Sequence, residues 1–163
     1  MAATIPGADP AIRALQDRMD VSDVLYRYAS AIDRFDLAGL RSVLSDDLWA
    51  QYGNAAPVVG GDAVASWIGA AIASVVWQHH LLSVYHVEVD GDSAGALVYH
   101  TSHQVFEDDP DTAKLLVGRY HNELRREPDG WKISRLVLEI LWGEEKHDAT
   151  GYLALNGGRG PRM

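Results

Sequence analysis

The chain has 163 residues, 47% of them hydrophobic, with 23 acidic and 14 basic side chains for a formal charge of −9. That length and apolar share are enough for one domain with a substantial core, and the negative charge repels phosphate backbones, which argues against nucleic acid as a partner. Cysteine is absent, so disulfides, thiolate metal sites and thiol nucleophiles are excluded.

In chain order, residues 1–10 are small, polar and proline-containing, and they read as a flexible arm. The arm has no signal-peptide pattern, and no later apolar run approaches the roughly 20 residues that cross a bilayer. The expectation is therefore a cytoplasmic protein with no membrane partner. From Ala11 to Ile32, apolar residues recur at helical spacing, and Asp20 or Ser22 can restart the helix as an N-cap, giving a short helix and then a longer one. Asp36 caps a further predicted helix carrying Leu37, Leu40, Val43 and Leu44. Leu48 to Tyr52 is a short apolar stretch before a Gly/Pro-rich loop, and Asp62 caps a small-residue helix over Ala63 to Val76.

Beyond this point the period changes to two. Gln78–Asp90, Ala94–Phe106, Lys114–Glu127 and Trp131–Trp142 are predicted strands separated by Asp90-Gly91-Asp92, an acidic loop over Glu107 to Asp111, and Pro128-Asp129-Gly130. Helices first and one long curved antiparallel sheet afterwards predict an α+β fold, a cone-shaped barrel over residues 11–144 whose N-terminal helices cover the concave face. Residues 145–163 form a charged, glycine-rich tail with no predicted structure. Strands of this length favour dimerisation through the open face.

Asp33 stands at the apolar end of the first helical segment. A carboxylate there serves either as a helix-end group bonded to Arg34 or a backbone amide, or as a half-buried partner that orients a base inside the cone. Six of the seven histidines (79, 80, 86, 100, 103 and 121) fall in the predicted sheet. Alternation forces His79 and His80 to opposite faces. His86 shares the parity of His80, and His100 opposes His103, unless a bulge intervenes. An Asp–His pair suits proton abstraction next to a carbonyl, because imidazole exchanges a proton near neutral pH once a carboxylate fixes its tautomer. The histidines show no convincing ligand spacing with a carboxylate, so no metal is expected. Tyr28 and Tyr52 are the aromatic hydroxyls placed to border the pocket.

Several motifs carry a resemblance: the run from Tyr26 to Leu40, Gln78-His79-His80-Leu81-Leu82, Val89 to Ala94, Gly118 to Leu124, and Asp129-Gly-Trp-Lys-Ile133. Together they are similar to the SnoaL-like branch of the nuclear transport factor two-like superfamily. Within it the chain most resembles scytalone dehydratase, through the helix ending in Asp33, Tyr52, Gln78-His79, Ser102-His103-Gln104, and the closing Trp142-Gly143-Glu144. The hexachlorocyclohexane dehydrochlorinases look similar around Asp33 and His79, and bacterial bile-acid dehydratases have a tyrosine placed as Tyr28 is before Asp33.

The resemblance implies a cofactor-independent lyase acting on a small cyclic, polyketide- or steroid-like molecule. In it His79 is the base, Asp33 its partner, and Tyr28, Tyr52, His103 and His121 bind the substrate. It also implies a homodimer or homotrimer. Ile32 departs from the tyrosine that scytalone dehydratase carries before its aspartate, and His121 stands where that family has a pocket asparagine. An isomerase or aldol-type cyclase uses the same base, and a non-catalytic binding or oligomerisation domain uses the same cone.

Overall fold

The computed structural model describes residues 9–147. The expected arm lies outside these residues except for Asp9 and Pro10, and so does most of the expected tail. A single unbroken helix α1 spans Pro10–Asp33, starting at Asp9, whose carboxylate accepts the Ala11 amide. Neither Asp20 nor Ser22 interrupts it, because Val21, Val24, Leu25 and Tyr28 continue one buried stripe through the expected break. The helix ends at a sharp reversal. The Asp36 amide reaches back to the Ala31 carbonyl, and Phe35 takes the left-handed conformation at φ 57° that helix-terminating turns require.

Helix α2 (Leu37–Ser42) follows, with the Asp36 carboxylate accepting the Gly39 amide. Strand β1 (Leu44–Tyr52) and the two-residue β2 (Val58–Val59) lead into α3 (Gly61–Ala71). Helix α3 is shorter than the sequence predicts and is capped from Gly60, whose φ of 101° suits glycine, while Asp62 sits in its first turn. Strands β3 (Val75–Asp90), β4 (Ser93–Phe106), β5 (Asp109–Glu127) and β6 (Gly130–Lys146) complete a six-stranded sheet in the order β2-β1-β6-β5-β4-β3.

The successive long strands pair antiparallel, and only β1 runs parallel to its neighbour β6. The sheet curves without closing, which gives the α+β cone expected from the sequence. Two predicted boundaries shift outward. Asp109 to Asp111 of the expected acidic loop belong to β5, and Glu145 and Lys146 extend β6 by pairing with Lys114 and Ala113.

The core lies between α1 and the concave face. Leu40, Leu44, Leu48, Leu124, Ile133 and Leu136 are almost wholly buried there, with Val21, Val64 and Val98 beside them. Each such side chain contributes roughly 1.5–3 kcal/mol through removal from water. Bulges interrupt two registers that matter for the site: one in β3 between Val84 and His86, and one in β6 between Ile140 and Trp142, opposite Val117 and Gly118.

Candidate active site

The C-terminal end of α1 meets the first half of β3. Gln78 anchors the junction, its buried amide donating to the Ile32 carbonyl at 2.6 Å. Two residues along the same face of the strand, His80 meets Asp33. The two side chains lie 2.6 Å apart, Nδ1 to Oδ1, and the other carboxylate oxygen accepts the His80 backbone amide at 3.0 Å. The carboxylate thus does both jobs that the sequence left open, holding a backbone amide and orienting an imidazole. Its acceptance at Nδ1 favours the tautomer with the proton on that nitrogen. His80 Nε2 has no protein partner among the described residues, so it is the free basic position.

This differs from the sequence expectation in one residue. His79 is exposed on the outer face, stacked near Trp77 and opposite His103 in the ladder. The reason is the bulge in β3. Counting back by twos from the inward Val87 and Val89 reaches His79, but the extra residue between Val84 and His86 flips the parity, so Val84, Leu82, His80 and Gln78 face inward instead.

Two further expected substrate-binding residues also lie outside the cone. His103 shares the outer face with His79, and His121 is exposed, its Nε2 3.1 Å from Glu139, which in turn grips Arg119 through two hydrogen bonds. The inward polar residues of these two strands are instead His100, three residues before His103, and Asn122, next to His121. Both were legible on alternation: Ala94, Ala96, Val98, His100 and Ser102 form an unbroken buried series in β4, and Tyr120, Asn122 and Leu124 another in β5.

His100 stacks on His80 with ring centroids 5.3 Å apart and meets the edge of Tyr120 at 5.0 Å. Neither of its ring nitrogens has a partner, and neither end of the Asn122 amide does. Buried polar groups left unpaired cost about 1–3 kcal/mol each, so an interior that keeps two of them is built to receive hydrogen bonds from something else. Tyr28 and Tyr52 come together, their hydroxyls 2.9 Å apart; Tyr28 also meets Tyr120 edge-on, and Tyr52 stacks on Trp67 at 4.7 Å.

The electrostatics keep this wall neutral. Burial pushes the Tyr28, Tyr52 and Tyr120 hydroxyls well above the ordinary phenol range, so all three remain donors near neutral pH. Burial, helped by the neighbouring His80, lowers His100 to about 4. The unfolded chain takes up this proton near pH 6.5, whereas the folded protein resists until about pH 4. Stability contributed by His100 is therefore intact above pH 6.5 and declines as the pH falls through that window, by about 3 kcal/mol in all. Urea unfolding at the two ends of the window checks this, and His100→Phe is expected to flatten the dependence.

No group of three or more metal-ligating side chains occurs among the described residues. A cleft of about 630 Å³ between the first half of α1 and the β5–β6 turn contains the Asp17–Arg126 and Asp129–Lys132 ion pairs, and neither Asp33 nor any histidine lines it.

Residues 13–137 match the SnoaL-like domain. The chain belongs to the SnoaL-like family. An uncharacterised protein from Mycobacterium tuberculosis (strain H37Rv) is 27% identical over 138 residues, 84% of this chain and 94% of its own length. Among solved structures, a provisionally named aromatic ring hydroxylase from Novosphingobium aromaticivorans is similar at 26% identity and a TM-score of 0.73, over 82% of this chain and 94% of that one. A provisionally named scytalone dehydratase from the same organism has the same fold at 15% identity and a TM-score of 0.77, over 84% of this chain and 92% of its own.

Proposed function

We propose that this SnoaL-like protein is a cofactor-independent lyase that eliminates water, or another β-leaving group, from a small uncharged cyclic ketone, with His80 as the base. The observation that carries the reading is the hydrogen bond from His80 Nδ1 to Asp33, which leaves Nε2 unengaged in a half-buried setting among neutral donors. His80 Nε2 removes the proton next to the carbonyl, and Asp33 stabilises the imidazolium that forms. The hydroxyl pair of Tyr28 and Tyr52 donates to the developing enolate oxygen. The enolate then expels the β-hydroxyl, which takes the proton back from His80 and departs as water. His100 and Asn122 hold the remaining oxygens of the substrate.

The neighbour named as a scytalone dehydratase fits this chemistry. The test separates the base from the leaving group. 2-Tetralone has an acidic α-proton and no β-leaving group, so its exchange in D2O reads proton abstraction alone. Exchange above the buffer rate is expected. With cyclic β-hydroxyketones, a product lighter by about 18 daltons marks elimination, whereas unchanged mass marks an isomerase or cyclase working with the same base. No exchange above buffer overturns the acid–base reading altogether.

A further inference from the structure

The Asp33 carboxylate is aimed by more than its own contact with His80. The planar peptide unit that holds the Ile32 carbonyl oxygen also contains the Asp33 nitrogen and Cα, so whatever fixes that oxygen fixes the carbon from which the Asp33 side chain hangs. Two donors reach it. The Phe35 amide lies 3.0 Å away within the turn that ends α1, and it moves with the helix end. The buried side-chain amide of Gln78 lies 2.6 Å away and belongs to β3, the strand that carries His80.

Gln78 is held from behind. Its side-chain oxygen accepts from the Gln104 side-chain amide at 3.1 Å, across the β3–β4 ladder in which the two residues pair. A backbone carbonyl can only accept, so the Gln78 NH2 group faces Ile32, its oxygen faces Gln104, and the relay has a single orientation. A buried glutamine is costly unless both ends of its amide are bonded, and here both are. The spacing matches as well. Residues 78 and 80, successive on the inward face of β3, engage residues 32 and 33, successive at the end of α1.

We propose that Gln78 is a positioning residue for the proton abstraction: it fixes the Ile32–Asp33 peptide against β3, so that the carboxylate meets the ring and the main-chain amide of His80 together. This rests on the reading of His80 as the base. The side-chain hydrogen bonds of Gln78 go to Ile32 and Gln104 rather than to His80 or Asp33, so its influence travels through the peptide. Without it, the Asp33 carboxylate must hold both the helix end and the imidazole, and the aim of the ring loosens. Misplacing a reacting group by about 1 Å costs up to about 10²-fold in rate.

Gln78→Met removes the donor at nearly constant shape, and two readouts test it: the kinetics of 2-tetralone exchange, and the solvent-exchange lifetime of the His80 Nδ1 proton by NMR. The kcat is expected to fall by about 10- to 100-fold with KM within about twofold, and the proton to exchange at least about tenfold faster. A merely structural role lowers thermal stability and moves neither kcat nor the lifetime in the folded variant. Gln78→Glu provides a second variant. Ionised at about pH 8, it sets a carboxylate against the Ile32 carbonyl and shortens the lifetime; protonated near pH 5, it donates again, and the lifetime returns towards that of the parent at the same pH. A parent lifetime in folded Gln78→Met, or in Gln78→Glu at about pH 8, overturns the proposal whatever happens to the rate. The lifetime needs no substrate. A parent chain that fails to exchange 2-tetralone therefore overturns the lyase reading, while the NMR signal alone still decides whether Gln78 aims the Asp33–His80 pair.

Discussion

Replacing His80 with glutamine is expected to slow 2-tetralone exchange by about 10²–10⁴-fold, the contribution of one positioned general base, while His79→Gln leaves the rate essentially unchanged. The two histidines are adjacent, and both are large aromatic side chains on one strand, so general damage to the strand cannot produce a difference of that size. His79 is exposed beside Trp77, whereas His80 is held on Asp33 by its ring. Glutamine at position 80 keeps a donor for the Asp33 carboxylate but offers no basic nitrogen at the far end. If the two variants lose activity equally, the assignment of the base to His80 is wrong.

The second large effect belongs to Asp33→Asn. The asparagine carbonyl can still accept the His80 backbone amide, but its NH2 group donates where the carboxylate accepted, and His80 Nδ1 must then become the acceptor. The ring proton moves to Nε2, and the nitrogen facing the cone is no longer a base. A rate loss of about 10²–10⁴-fold is expected with the fold intact. Nitrogen-15 chemical shifts of the His80 ring check the cause directly: Nδ1-protonated in the parent, Nε2-protonated in the variant. A slow variant with the parent tautomer would show that Asp33 acts through charge or position instead.

Much of this arrangement is legible in the residues themselves. The change of period from helical to alternating near Gln78, the Asp36 cap and the glycine- and aspartate-bearing turns fix the order of helices and long strands. Asp33 stands out because an acidic residue closes an otherwise apolar helix end. Which histidine meets it does not follow from pattern, because a bulge has no reliable signature in alternation, and the one between Val84 and His86 exchanges the faces of the residues from Trp77 to Val84. His100 and Asn122 were passed over for another reason. Their alternation is regular, but matching to a family motif pulled the choice to His103 and His121, three residues further on β4 and one residue earlier on β5. The extra length of β6 was hidden because Glu145 and Lys146 read as tail by composition, whereas β5 supplies ladder partners for both.

The Asp33 carboxylate takes two hydrogens from the same residue, one from the main chain and one from the ring of His80. This latches the end of α1 to β3 at the point where the chemistry is proposed to occur. Any fluctuation that lifts the helix end away from the strand exposes the His80 amide to solvent and releases its imidazole in the same movement. Amide exchange at this one position therefore measures the share of molecules whose base is correctly aimed, and local breathing and catalytic readiness become a single equilibrium.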